Sequence, residues 1–172
     1  MNGLIWFWPG VAVAVAMSWL LAPVVGRALR IDRRLAWLLV FSIGLIVAAT
    51  ITPIRPPIGI DLTIHRNCDF GRRWFATIPE VTAWTGSTLH IGAFVPAGVA
   101  IALLPISLRS AIVVVCVAAL PGAVEALHFA VPELARACKS ADAIDGLTGL
   151  ATGMIAGLVI RVALGAWNRV RA

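Results

Sequence analysis

The chain has no tyrosine, a single lysine and only eight acidic residues among 172, and charged residues make up 13% of it. A soluble domain carries about twice that charged fraction, so an ordinary water-facing surface is excluded. Cysteines number three, too few for a disulfide-built scaffold. Gly-rich phosphate loops, Walker lysines and nucleophile elbows of the G-x-S-x-G type are all missing, which removes several common enzyme classes. No internal repeat, low-complexity tract or appended soluble domain is evident.

What remains is apolar. Hydrophobic residues reach 60% and the mean hydropathy is +0.96. Runs repeatedly approach the ~20 residues needed to cross a bilayer core. One such helix fits inside a soluble core, but five do not. The sequence therefore predicts an all-α polytopic membrane protein, one domain over 1–172, with about five spans at 3–25, 35–52, 88–104, 110–129 and 142–164. Trp6, Trp8, Trp37, Trp84 and Trp167 fall near span ends, as an interfacial aromatic belt requires. Pro9 and the Pro121–Gly122 pair fall inside spans. The start, MNGLIWFWPG, lacks a basic n-region, so the first apolar run is expected to be a retained span.

Formal net charge is +6, yet the arginines form no single stripe that would track a nucleic acid. They collect between apolar runs. Arg27, Arg30, Arg33, Arg34, Arg109, Arg161, Arg169 and Arg171 share one side with Asp32 alone, +8 against −1. The other side holds six basic residues and seven acids. The positive-inside rule then predicts an N-terminus outside and a cytoplasmic C-terminus. Thirteen arginines to one lysine, with abundant Ala and Val, point to a high-GC bacterium and its plasma membrane.

Acids are concentrated in one place. Glu125, Glu133, Asp142 and Asp145, half of all eight, lie in or just before the stretch PELARACKSADAIDGLTG. Asp142 is expected to cap the fifth span and Asp145 to lie in its first turn. Asp145, Gly149, Gly153 and Gly157 recur every fourth residue. Small residues at that spacing let helices approach closely, so Asp145 should face the bundle. Pro96 and Gly98 are read as packing residues of the third span. Glu125 falls inside the fourth span, where an ionised group costs about 2.5–3.5 kcal/mol on insertion scales and so needs a cavity or a partner. His128 shares its face. Two readings stay open: a buried Glu125 held by Arg136, Lys139 or His90, or a functional polar pocket. A metal site is not expected, because Glu-x-x-His here lacks the second copy and extra carboxylates of a di-metal bundle. No cofactor is expected either. Cys68 and Cys138 share the outer side and form a candidate disulfide, two separate thiols being the alternative.

Three motifs in order carry a family resemblance over residues 88–160. His90, Phe94, Pro96 and Gly98 resemble the N-x-x-x-F-x-P-x-G signature of VanZ-like membrane proteins. Glu125 and His128 resemble that family's E-x-x-Q. Lys139, Asp142 and Asp145 resemble its R-x-x-[DS]-x-x-D-x-x-x-N-x-x-G. The departures are His for Asn at 90, His for Gln at 128, Lys for Arg at 139, and Gly149 where Asn is usual, with Thr148 beside it. The resemblance implies a protein of the bacterial envelope, in a family whose namesake is linked to teicoplanin resistance.

Together these readings predict an outer polar pocket lined by His90, Glu125, His128, Arg136, Lys139, Asp142 and Asp145. Its expected partner is a membrane lipid or lipid-linked cell-wall component, or a membrane protein, and not nucleic acid. Two rivals accompany that expectation. One is an enzyme acting on a phosphorylated or glycosylated lipid, with Glu125 or Asp145 as base, His128 or His90 as acid, and Lys139 and Arg136 steadying an anion. The other is a structural or accessory subunit whose charges only pin helices together.

Overall fold

A computed structural model describes residues 7–50, 68–72, 74, 75, 77, 86–131, 134 and 136–171, with backbone alone at 86 and 168–171. Five helices account for nearly all of them: α1 Phe7–Leu29, α2 Arg33–Thr50, α3 Gly86–Ala102, α4 Leu108–Ala130 and α5 Ser140–Arg171. Among the described residues there is no strand, only an isolated bridge between Asp69 and Lys139. Four of the helices, α1, α2, α4 and α5, are long and apolar enough to cross a membrane. The 17 residues of α3 span about 25 Å, at the lower limit for a transmembrane helix. The chain is an all-α polytopic membrane protein.

The burial pattern is that of a bundle in an apolar solvent. Large aliphatic side chains point outward: Leu20 is 69% exposed, Val115 67% and Val162 72%. The largest fully buried side chains are Phe94 and Ile46, followed by His128, Thr50, Asp145, Ser18 and Ser42. Between helices in lipid, close backbone approach and hydrogen bonding replace the hydrophobic effect as the cohesive force. Accordingly Ser18, Ser42 and Thr50 each donate to the carbonyl four residues back, at 2.6 Å, which satisfies a hydroxyl where no water reaches.

α1 and α2 form an antiparallel hairpin. Ala14, Ser18, Ala22 and Gly26 are the buried residues of α1, one small side chain every fourth position. Gly44 of α2 sits so close to α1 that an added Cβ would lie 2.6 Å from the Cβ of Ala14. The turn is a Schellman motif: Ile31 N–H donates to the Gly26 carbonyl at 3.0 Å and Arg30 N–H to Arg27 at 3.4 Å. Arg30 occupies its left-handed position, φ 57°, where glycine is favoured. Asp32 then caps α2 by accepting from the Arg34 N–H at 2.8 Å.

α3 and α5 run parallel and pack more extensively than any other pair. Cβ atoms added at Gly149, Gly153 and Gly157 would collide with the carbonyls of Ile91, Val95 and Val99 respectively, a constant offset of 58. The small-residue stripe therefore seats α5 on the backbone of α3. From the other side, a Cβ on Gly98 would lie 2.9 Å from the Cα of Gly153. α3 stays helical through Pro96. α2 packs on α3, and α4 rests on α5.

Several boundaries differ from the sequence expectation. α1 runs to Leu29, four residues beyond the expected span; residues 3–6 lie outside the described set. α5 starts at Ser140 and continues to Arg171. Asp142 is thus its third residue, inside the first turn rather than at the cap, and Asp145 lies in the second turn. Both shifts arise because polar residues at a bilayer edge stay helical once the backbone is hydrogen-bonded. Residues 51 and 52, with Trp6, Trp84 and Glu133, lie outside the described set.

Candidate functional site

The C-terminal ends of α2 and α4 and the N-terminal ends of α3 and α5 meet at one end of the bundle, the polar end. All seven residues expected to line a pocket lie there. Asp145, from the second turn of α5, is fully buried. Its carboxylate is forked by Arg72, with Nη2 donating to Oδ1 at 2.8 Å and Nη1 to Oδ2 at 3.3 Å. Arg72 also donates to the Trp74 carbonyl at 3.0 Å and the Ser87 hydroxyl at 3.4 Å. With both oxygens taken by a guanidinium, Asp145 is poorly placed to act as a general base.

Arg72 was not singled out by the sequence; the only signal was a loop, 55–87, carrying four arginines against three acids. What delivers it is a strap across the N-terminus of α5. Cys68 and Cys138 form a disulfide with Cα atoms 4.6 Å apart, which resolves the cysteine alternatives in favour of the bridge. Beside it, Asp69 N–H donates to the Cys138 carbonyl and Ser140 N–H to the Asp69 carbonyl, both at 2.9 Å. The Ser140 hydroxyl donates to the Arg72 carbonyl at 2.7 Å. Cys116, expected inside the fourth span, is a free and exposed thiol of α4.

Glu125 accepts from the backbone N–H of Lys139 at 2.7 Å, so Lys139 serves it through the main chain while its own side chain is exposed. The second Glu125 oxygen faces His128 Nδ1 at 3.4 Å. His128 Nε2 lies 2.8 Å from the Thr50 carbonyl. A carbonyl only accepts, so Nε2 carries the proton. Nδ1 faces the Glu125 carboxylate but has no hydrogen-bond partner among the described residues. This makes Glu125 with His128 the pair best suited to acid–base chemistry.

His90 Nδ1 approaches Asp142 Oδ1 at 3.8 Å, joining the entries of α3 and α5. Arg136 donates to the Ala49 carbonyl at 3.0 Å. Burial pushes the Arg136 guanidinium below its ordinary value, and the carboxylates of Asp142 and Glu125 pull the other way. Together Arg136 and His128 cover the last carbonyls of α2, groups that no intrahelical partner satisfies. Among the described residues of this end, the cations Arg72, Arg136 and Lys139 stand against the carboxylates of Asp69, Glu125, Asp142 and Asp145. Among the described residues no group of three His, Cys, Asp or Glu is placed to hold a metal ion.

No protein-family model matches the sequence, and searches of curated proteins and of solved structures return no match.

Proposed function

We propose that this chain is a VanZ-like multi-pass protein of the bacterial plasma membrane, with its polar end outside, where it binds the headgroup of a lipid-linked cell-wall component. The observation that carries this reading is the meeting of Arg72, Arg136, Lys139, Glu125, Asp142 and Asp145 at one end of a bundle whose flanks are apolar. A ligand with a polar head and a long hydrocarbon tail fits that division. The exposed side chain of Lys139 and the partly exposed guanidinium of Arg72 are the donors available to it. Glycopeptide tolerance of the teicoplanin type is the corresponding phenotype.

Lipid mass spectrometry on gently purified protein tests the proposal, comparing wild type with Lys139→Gln, which keeps the main-chain bond to Glu125. A polyprenyl or glycolipid species carried by wild type and lost from the variant supports a headgroup site. Bulk phospholipid alone in both, in equal amounts, refutes it.

A second reading, a structural or accessory subunit, is favoured by the internal pairing of the same carboxylates: Asp145 with Arg72, Glu125 with the Lys139 amide, Asp142 with His90. On that reading Glu125→Gln lowers stability in detergent and leaves the bound lipids unchanged. An enzyme acting on the headgroup is supported only by the closeness of His128 Nδ1 to Glu125 Oε1, 3.4 Å.

A further inference from the structure

The opposite end of the bundle is strongly basic. Arg27 and Arg30 close α1, Arg33 and Arg34 open α2, and Arg109 lies in the first turn of α4 beside them. Asp32 is the only acid at this end among the described residues; the others, Asp69, Glu125, Asp142 and Asp145, lie at the polar end. Two of the five guanidiniums are committed, Arg27 to the Pro23 carbonyl and Arg109 to the Ala28 carbonyl. Among the described residues, the side chains of Arg30 and Arg34 make no hydrogen bond or ion pair.

Arg33 is the informative one. Its guanidinium lies over the ring of Trp19, 5.8 Å from the centroid. Trp19 precedes the end of α1 by ten residues, about 15 Å along the axis. It is 59% exposed. Basic side chains near a span end ordinarily reach away from the hydrocarbon. Arg33 reaches toward it, with five donors and no acceptor among the described residues. Below it Trp19 meets Trp37 edge-on and Trp37 stacks on Phe41, centroids 6.2 and 5.0 Å apart. Exposed tryptophan favours the headgroup level of a bilayer, and the acceptor found at that level for a guanidinium beside it is a lipid phosphate.

We infer that the α1–α2 turn is a binding site for an anionic phospholipid of the leaflet at the basic end. Its phosphodiester is held by the guanidiniums of Arg33, Arg34 and Arg30, and an acyl chain lies along the exposed ring of Trp19. The planar fork of arginine suits two phosphate oxygens, and an anionic headgroup answers the charge excess. The inference rests on the bundle being embedded in a membrane and is independent of the headgroup site at the polar end.

The test is native mass spectrometry of the full chain in dodecyl maltoside, titrated with phosphatidylglycerol and with phosphatidylcholine of the same acyl chains. Wild type should prefer phosphatidylglycerol by about tenfold or more, and Arg33→Gln with Arg34→Gln should weaken it roughly thirtyfold, at about fivefold per arginine near a charged surface. Phosphatidylcholine binding should not change, and far-UV circular dichroism checks that the helices persist. The pair Arg33→Lys with Arg34→Lys keeps the charge but loses the fork, and should give an intermediate loss even if the glutamine variant fails to fold. Equal affinity of wild type for the two lipids overturns the site. So does undiminished phosphatidylglycerol binding by whichever variant is folded.

Discussion

Replacing Arg72 by methionine, which keeps the length of the stem, removes the only cation paired with Asp145 among the described residues. Breaking a buried ion pair from one side costs about 3–5 kcal/mol, because the surviving charge stays buried without compensation. Two features of this site pull the figure down. Arg72 is 23% exposed, so water already shares part of the pairing. Asp145 also lies near the positive end of the α5 dipole, which compensates a carboxylate by about 0.3–1 kcal/mol. The expected loss is therefore about 2–3 kcal/mol. Asp145→Asn should cost less, about 1–2 kcal/mol, because the amide keeps the shape and the freed Arg72 can turn to water. The double variant should be little worse than Asp145→Asn alone, giving a coupling of about 1.5–2 kcal/mol. The assay is unfolding by sodium dodecyl sulfate in mixed micelles at 25 °C, followed by far-UV circular dichroism under non-reducing conditions. Effects that add to within about 0.5 kcal/mol would refute the assignment of Arg72 as the partner of Asp145.

The same unfolding assay separates three other features. Gly153→Ala forces a methyl against the Val95 carbonyl and should cost about 1–3 kcal/mol, whereas Gly122→Ala, into open space on α4, should be neutral or stabilising by up to about 1 kcal/mol. The Cys68–Cys138 bridge closes a separation of 70 residues, worth at most about 4 kcal/mol by loop entropy and less where spans already confine the ends; Cys138→Ser should cost about 1–3 kcal/mol. Maleimide should label one cysteine per unreduced native chain, Cys116, and three after reduction and unfolding. Arg30→Gly relieves the left-handed backbone and should stabilise the hairpin by about 1 kcal/mol, while weakening phosphatidylglycerol binding in the mass-spectrometric titration.

What the sequence made legible follows from periodicities that act locally. Apolar runs located the helices, and the Asp145–Gly149–Gly153–Gly157 stripe identified the face that α5 presents, because a helix repeats its face every fourth residue whatever surrounds it. The same spacing in α1, at Ala14, Ser18, Ala22 and Gly26, carried equal information about the α1–α2 contact and passed unread among the many alanines there. Glu125 was legible as a residue in need of a partner because its cost in an apolar span is large. Its actual partner was not, since a backbone N–H leaves no trace in residue identity. Arg72 was hidden for a related reason. The four loop arginines are equivalent in composition, and only the bridge and the Asp69–Lys139 pairing choose which one reaches Asp145.

A further property of the basic residues emerges only from the packed helices. Arg109 donates to Ala28, near the end of α1; Arg136 and His128 cover Ala49 and Thr50 at the end of α2; Arg161 reaches Ala102 and Leu104 at the end of α3. Each of these helix ends is thus covered by a side chain from another element. A helix end near a bilayer has few other donors for its last carbonyls, and the negative end of its dipole favours a cation there. Charge counting along the sequence treats all these groups alike, as orientation signals or ligands. The geometry divides them. Arg109, Arg136 and Arg161 are bound into the backbone of their neighbours, so their loss should be read first as a loss of stability. Arg30, Arg33 and Arg34 at one end, and the Lys139 side chain at the other, make no such carbonyl contact. Of these, Arg33, Arg34 and Lys139 are the positions where a change in bound lipid, without a change in unfolding, reports on function, because a change at Arg30 also alters the left-handed backbone.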